Sequence, residues 1–574
     1  MKNVVMFFCF LLIQAMVGAQ ENESYPAGDF ISPVDMPLRL SGTFGELRNG
    51  HFHSGMDIRT NGSKGYAIRA VADGYVSRVR VAAGGFGKTV YISHPNGYMS
   101  VYAHLDRFRS DLEAYVLEAQ YLREEFEVNL FPDKGRFRVD QGDVIAFSGN
   151  SGYSFGPHLH FEIRENATQE PVNPLHFGFD VEDQVRPTIE SVMIYPDIAA
   201  YHPGPFNVPR EIRIARKGTR HFPVREGIFD VPTDFYVGVM AFDQHNGSWT
   251  RNGVYSMKVY LDTLLVYEHR MDRFAFSETR YINSSIDYRE FLLNKRRFVR
   301  SRLDPNNRLN IYRSLDNGGV IHLEDTLPHI LRCVVGDIAG NYSRVDLQVK
   351  ASDEAGMAAF IEDDSSFVFL SWRDATRLSH QGLEVKIPPY ALYDNAFIKI
   401  ETTAPEPGLL SMIYDLHDST IPVHRYFSLS IRPDSVPQGR EDKLLIAEIG
   451  SGGKLSSAGG EWVKDRVVSR LRKFGRYAIA MDTVPPEIHP VNIADGTVKR
   501  APGRLLIRID DDLSGVATYR SMLNGDWILT EYDLKNKLLI CDVQGKARAG
   551  RNFFLLEVTD NKNNSAVMEK VLYY

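Results

Sequence analysis

The sequence predicts a mainly β chain of several modules with one helical insertion, and three observations predict it. At 574 residues the chain is too long for one compact module and implies about three to five domains. Aromatic residues make up 11% of it, including 28 Tyr and 33 Phe, which favours strands. Most of its length is short alternating or apolar runs broken by glycine, with one stretch of three- and four-residue apolar spacing. A hydrophobic fraction of 43% and a charged fraction of 24% are ordinary for globular protein. The net charge of −7 argues against a nucleic-acid partner. Three cysteines exclude a disulfide scaffold and a Cys-rich metal cluster.

Taken in order, Met1-Lys2-Asn3 is a short basic start to the apolar run Val4 to Ile13, and small Val17 and Ala19 precede Gln20. Residues 1–19 read as a secretory signal peptide, so the chain is expected to be exported to the periplasm or cell envelope. The run is too short to span a bilayer, and no later segment is long and apolar enough to form a transmembrane segment. Cys9 lies within the run; Cys333 and Cys541 remain afterwards, one bridge at most.

Residues 20–180 form the first predicted domain. Ile68 to Val79 reads as strand, turn and strand around Asp73-Gly74, and Lys88–Ser93, Met99–His104 and Phe155–Ile163 read as further strands. Between them, Leu112, Tyr115, Val116, Ala119, Leu122 and Phe126 recur at helical spacing behind Ser110, with Glu113 three residues on. That pattern predicts a helical insertion over about 110–129, N-capped by Ser110.

Beyond it the chain reads as all-β. Asp183-Gln184-Val185-Arg186-Pro187 recurs as Asp482-Thr483-Val484-Pro485-Pro486, and Asp337 before Gly340-Asn341 recurs as Asp560 before Asn563-Asn564. Units that open and close alike predict two β-sandwich domains of one type, at 181–352 and, Ig-like, at 482–574. The closing Asp-to-Asn stretches read as turns, with too few carboxylates nearby for calcium. A third sandwich is expected at 353–481, where Gly382 to Leu392 resembles the opening of ZU5-like domains.

The residues that carry chemistry lie in the first domain. Gly45-Glu46-Leu47-Arg48 precedes His51-Phe52-His53-Ser54-Gly55-Met56-Asp57; Tyr102-Ala103-His104-Leu105 and Gly156-Pro157-His158-Leu159-His160-Phe161 follow. In a strand, His158 and His160 share one face, as do Tyr102 and His104, while Leu159 and Phe161 turn to the core. Such a histidine pair suits one metal ligand and one proton carrier. His53 and Asp57 would stand about 13 Å apart in an extended strand, but Gly55 permits a bend that lets them converge. His51 stands as an alternative to His53. Two histidines and one aspartate with an open fourth position are the ligand logic of catalytic zinc.

Together these segments resemble the motifs of the lysostaphin-type (LytM-like, duplicated hybrid motif) zinc metallopeptidases, over about residues 38–176. Gln141 to Ala146 and Ser148 to Gly152 are similar to a supporting segment of that family. The resemblance implies a small antiparallel β metallopeptidase domain with an open groove, followed here by three β-sandwich-like domains. It implies one Zn2+ ion held by His53, Asp57 and His160, with His158 as the base and His104 stabilising the tetrahedral intermediate. It also implies peptidoglycan as the substrate, cleaved at peptide bonds of stems or cross-links, and leaves the C-terminal β-domains to engage envelope protein partners. The helical insertion departs from the family pattern and reads as a rim of the groove or an outer decoration. Two other functions compete: an inactive envelope scaffold that binds peptidoglycan or activates another wall hydrolase, and an adhesive module dominated by its β-domains.

Overall fold

The computed structural model describes residues 25–197, 200–201, 209–352, 366–493, 497–498, 503–543 and 545–574; the expected signal peptide over 1–19, with Cys9, lies outside them. The molecule is mainly β, a small antiparallel β domain with one helical insertion followed by sandwich-like pairs of sheets.

The first domain is built on an eleven-stranded sheet. Its elements used below are β1 (Leu40–Gly42), β2 (Leu47–Arg48), β3 (His51–Phe52), β4 (Met56–Arg59), β5 (Ala67–Arg69), β6 (Gly74–Val81), β7 (Lys88–Ser93), β8 (Tyr98–Phe108), helix α1 (Ser110–Arg123), β9 (Val128–Leu130), β10 (Arg138–Val139), β11 (Val144–Ser148) and β12 (His158–Glu165). The main path runs β1-β4-β12-β8-β7-β6-β10, and β12 sits between β4 and β8. Its register pairs His160 with Asp57 on one side and with Ala103 on the other. Alternation along β12 does the rest: Leu159, Phe161 and Ile163 are buried in the main core, and His158 and His160 face away from it.

Three sequence expectations shift. Phe155-Gly156-Pro157 stands outside the strand, which starts at His158. The helix ends at Arg123 rather than near 129, closed by Glu124 in the left-handed region (φ 52°), and β9 follows. Its N-cap is Arg109 rather than Ser110, with no side-chain cap bond. The Glu113 carboxylate still reaches back one residue further, accepting from the Phe108 N–H at 2.8 Å. Leu112 and Val116 are buried, whereas Leu122 is exposed.

The third shift matters most for chemistry. Tyr102 and His104 face opposite ways, because His104 has φ +59° and interrupts the pleat. The ladder slips between Lys88 and Val90 on β7 and between Phe147 and Ser148 on β11, as a bulge requires. Tyr102 therefore enters the core against Phe161 and bonds the Val71 N–H, while His104 leaves it.

Downstream, each described unit consists of two sheets closing on its own apolar cluster. In the second module Ile228–Val231 pairs in parallel with Tyr342–Ala351, and in the fourth Thr497–Val498 pairs in parallel with Ser565–Tyr573. The shared irregularity matches the repeated sequence signature. Cys333 and Cys541 are buried, free thiols in the second and fourth cores.

The modules pack onto the first domain. Phe44 and Phe52 share a cluster with Met271, Phe274, Tyr281 and Tyr393. On the far side, α1 meets the fourth module where the Tyr121 and Trp527 rings lie edge to face at 5.2 Å. Among the described residues, no helix is long and apolar enough to cross a membrane.

Candidate metal centre

His53, Asp57 and His160 meet at one point. His53 Nε2, Asp57 Oδ1 and His160 Nδ1 lie 3.0 Å from one another, and all three residues are buried. Gly55 serves this convergence by close approach rather than by a positive φ. A Cβ there would stand 2.2 Å from the Phe161 carbonyl oxygen, so only glycine lets the chain lie against β12. Likewise, a Cβ at Gly42 would stand 2.5 Å from Asp57 Oδ2. His51 is exposed and turns its Nδ1 to the Asn49 carbonyl, 3.1 Å away; the structure brings His53, not His51, to Asp57.

Each of the three is held from behind. The His53 Nδ1–H donates to the Thr43 carbonyl at 2.8 Å, and the His160 Nε2–H to Glu162 Oε1 at 2.9 Å. The Arg48 guanidinium donates to Asp57 Oδ2 at 3.1 Å and to Glu46 at 2.9 Å. Glu162 is fully buried, and accepts also from the Arg164 guanidinium at 2.5 Å and from the Ser54 hydroxyl.

This wiring leaves two imidazole nitrogens and a carboxylate oxygen facing each other with a cation required among them. With their other ring nitrogens donating, His53 Nε2 and His160 Nδ1 are both bare in the neutral tautomers, and two lone pairs cannot bond one another. Burial would lower the His160 pKa, but Asp57 and Glu162 outweigh it and hold the ring up at about 9. Burial likewise opposes ionisation of Asp57, and the three surrounding histidines reverse that, holding its carboxyl well below the usual range. The donor types suit a metal equally well: tetrahedral ligands about 2.0–2.1 Å from zinc stand about 3.3 Å apart.

His104 and His158 stand beside this triangle with their rings 4.8 Å apart. Each is fixed through Nδ1, His104 to the Ser151 carbonyl and His158 to the Gly156 carbonyl, both at 2.8 Å. His158 points Nε2 at the centre, 3.5 Å from Asp57 Oδ1, and the His104 ring lies 5.9 Å from that of His160. Burial, reinforced by His160 and His158, pushes the His104 pKa down to about 3, so this ring is neutral. Two imidazole rings beside a cation site, that of His104 neutral, can accept and pass on protons.

The centre lies in a groove of about 960 Å³ rimmed by Tyr153, Phe155, Trp249 and Phe276. Two of these come from the second module, which forms one wall of the site. Trp249 is 84% exposed and lies over the Arg59 guanidinium, 5.9 Å from it, and the Thr279 hydroxyl accepts from the Phe52 N–H at 2.7 Å. No residue of α1 lines the groove; the helix instead docks the fourth module.

Sequence reasoning left Glu162, Arg164 and Arg48 without a role. The first two were within reach, because His160, Glu162 and Arg164 follow the same two-residue alternation on one face of β12. The Trp249 wall had no local signal.

Residues 51–122 and 133–174 match the model of Peptidase family M23, and residues 368–482 match that of the Zu5-like domain. Over 142 residues the chain is 33% identical to the DD-carboxypeptidase/endopeptidase Mpg of Neisseria meningitidis serogroup B, covering 24% of this chain and 26% of that protein. It is 33% identical over 162 residues to an uncharacterized metalloprotease of Haemophilus influenzae, covering 27% and 28%. It is 36% identical over 135 residues to the murein hydrolase activator NlpD of Escherichia coli, covering 24% and 28%. In each case the chain spans little more than a quarter of the relative's length.

Proposed function

We propose that this chain, whose N-terminal region is a domain of peptidase family M23, is an exported zinc metalloendopeptidase that hydrolyses peptide bonds in peptidoglycan stem peptides or cross-links. The convergence of His53 Nε2, Asp57 Oδ1 and His160 Nδ1 beside the His104 and His158 rings carries this reading. In it, His53, Asp57 and His160 hold one zinc ion in the periplasm or cell envelope. Bound there, zinc supplies Lewis acidity that acidifies water and polarises a scissile carbonyl.

The chain's own residues then order and move protons. His158 Nε2 takes the proton of the attacking water, its ring held in the productive tautomer by the Gly156 carbonyl. That proton passes to the departing amine. His104 starts neutral with Nε2 bare, so it can donate to the oxyanion that develops on the scissile carbonyl only while it holds the water-derived proton relayed from His158, which it then gives up for delivery to the departing amine. Its left-handed backbone is the strain that aims the ring there. The domain division at 181–352, 353–481 and 482–574 belongs to the same proposal: the first of these walls the groove, and the last braces the catalytic domain beside the groove rim through Lys535, which donates to the Ser154 carbonyl at 3.0 Å.

Two expected results arise here. Glu162→Gln removes the carboxylate behind His160 and is expected to weaken zinc binding about 10–100-fold, read by competitive titration against a chromophoric chelator. Trp249→Ala, distant from the proton transfers, is expected to raise KM about 10-fold through lost aromatic contact worth about 1.4 kcal/mol, with kcat little changed. The function itself is tested by mass spectrometry of fragments released from purified sacculi by the zinc-loaded protein. New peptide termini support it. No release from several wall chemistries, together with stimulation of a separate wall amidase, would instead make the chain an activator.

A further inference from the structure

Away from the groove, two groups of carboxylates converge at matching places in the second and fourth modules. Asp183 precedes the strand Thr188–Pro196, Asp243 follows Asp234–Phe242, and Asp337 follows His329–Gly336. Asp482 precedes Glu487–Pro490, Asp511 follows Arg504–Asp510, and Asp560 ends Arg551–Asp560. The wiring repeats as well. The Asn341 amide donates to the Asp183 carbonyl at 3.2 Å and to Asp337 Oδ2 at 2.8 Å. The Asn564 amide donates to the Asp482 carbonyl at 3.2 Å and to Asp560 Oδ2 at 2.7 Å. Ligand atoms of Asp183, Asp243 and His245 lie within 4.8 Å of one another, and so do those of Asp482, Asp511 and Asp560.

Each cluster leaves a carboxylate oxygen without a hydrogen-bond partner among the described residues. Asp243 is only 3% exposed, yet its Oδ1 has no hydrogen-bond partner among the described residues. In the fourth module Asp511 Oδ1 is likewise unpartnered, and so is the buried Ser514 hydroxyl, whose own N–H donates to Asp482 Oδ2. Among the described residues no Lys or Arg pairs with any of the six aspartates; the neighbouring Lys562 ammonium donates to the Gly460 carbonyl. Burial, together with mutual repulsion, holds Asp183 up at about 6 and Asp243 at about 8, and burial raises Asp337 and Asp511. In each group two aspartates are buried and a third is half-buried, and carboxylates gathered this way favour a cation among them.

We propose that each cluster binds one Ca2+ ion. The donors common to the two sites are carboxylate oxygens, which is the chemistry of a hard cation with flexible coordination. His245 has no counterpart in the fourth module, and so does not define the ion. The Asp-to-Asn turns hold one carboxylate each; folding adds two more, from the module's entry and from the end of the strand that pairs with its first one, which supplies what the turns lack in sequence. Both sites lie where the chain enters a module, and the Asp482 N–H donates to the Lys443 carbonyl of the preceding one. The ions would therefore pin each module to its entering segment.

The test uses the zinc-loaded full chain, dialysed against chelated and then calcium-containing buffer, with calcium counted by elemental analysis and melting followed by calorimetry. Two Ca2+ per chain are expected, one in Asp243→Asn or Asp511→Asn, and none in the double variant. Saturating Ca2+ is expected to raise melting of the wild-type modules by about 5–10 °C and to leave the double variant unmoved. Because the amide relieves buried repulsion, the calcium-free double variant is expected to melt no lower than the calcium-free wild type, which separates a lost ligand from a lost fold. Fewer than two Ca2+ on the wild type at millimolar calcium would overturn the proposal. So would an unchanged count in the variants, or uptake of Zn2+ in place of Ca2+ at the Asp183 cluster.

Discussion

His160→Ala is expected to abolish both zinc retention and peptidoglycan hydrolysis. Its Nδ1 is one of three donor atoms spaced 3.0 Å apart, and its ring is also the link to Glu162 and Arg164. Alanine removes the donor and leaves Glu162 supported only by Arg164 and Ser54. The Lewis-acid contribution at stake is several kcal/mol, so turnover is expected to fall on the order of 10³-fold or more. Zinc content of the purified variant and its rate on isolated sacculi check this. A variant that keeps one zinc and normal turnover would remove His160 from the ligand set.

His104→Ala is expected to separate binding from catalysis. Its ring is 5.9 Å from that of His160 and makes no bond to the donor triangle, being anchored to the Ser151 carbonyl. Zinc content should be unchanged, while kcat falls about 10²–10⁴-fold, the range for losing a positioned proton carrier. KM should move little, because the groove rim is untouched. His104→Ala may be compared with His158→Ala, whose Nε2 stands closer to Asp57; equal losses in the single and double variants would show that the two rings act as one unit. Full activity in His104→Ala on a cognate substrate would contradict the role given to it.

Much of the site was legible because strand alternation is a short-range property. His158 and His160 share a face, and Leu159 and Phe161 enter the core, as the two-residue period requires. The limits of β7 coincide with the expected strand Lys88–Ser93, whose β-branched and aromatic centre Val90-Tyr91-Ile92 suits a strand buried on both faces. The Tyr102–His104 pair failed where a bulge reversed the alternation, a feature set by the neighbouring strands β7 and β11 rather than by the segment itself. Gly55 was correctly tied to the meeting of His53 and Asp57, but its reason is the approach of the Phe161 carbonyl, which only the folded sheet reveals. The helix was placed correctly at its start and overran at its end, because the apolar spacing continues through Phe126 although the helix itself stops at Arg123.

What the sequence could not show is long-range. Trp249 reaches the groove only because the second module packs on Phe44 and β3 through the Phe44–Phe274 cluster, which sets it over Arg59 of β4. The aspartates of the second and fourth modules come from separated segments, so neither group could be counted from its closing turn alone.

The most direct measurement titrates zinc back into chelator-stripped protein while following cleavage of a purified cross-linked muropeptide. Activity is expected to rise linearly and to saturate at one zinc per chain, with His160→Ala unresponsive and His104→Ala binding the ion without recovering turnover. Cleavage by the zinc-free protein, or one bound zinc per chain at His53, Asp57 and His160 with no cleavage of any wall peptide, would contradict a zinc endopeptidase.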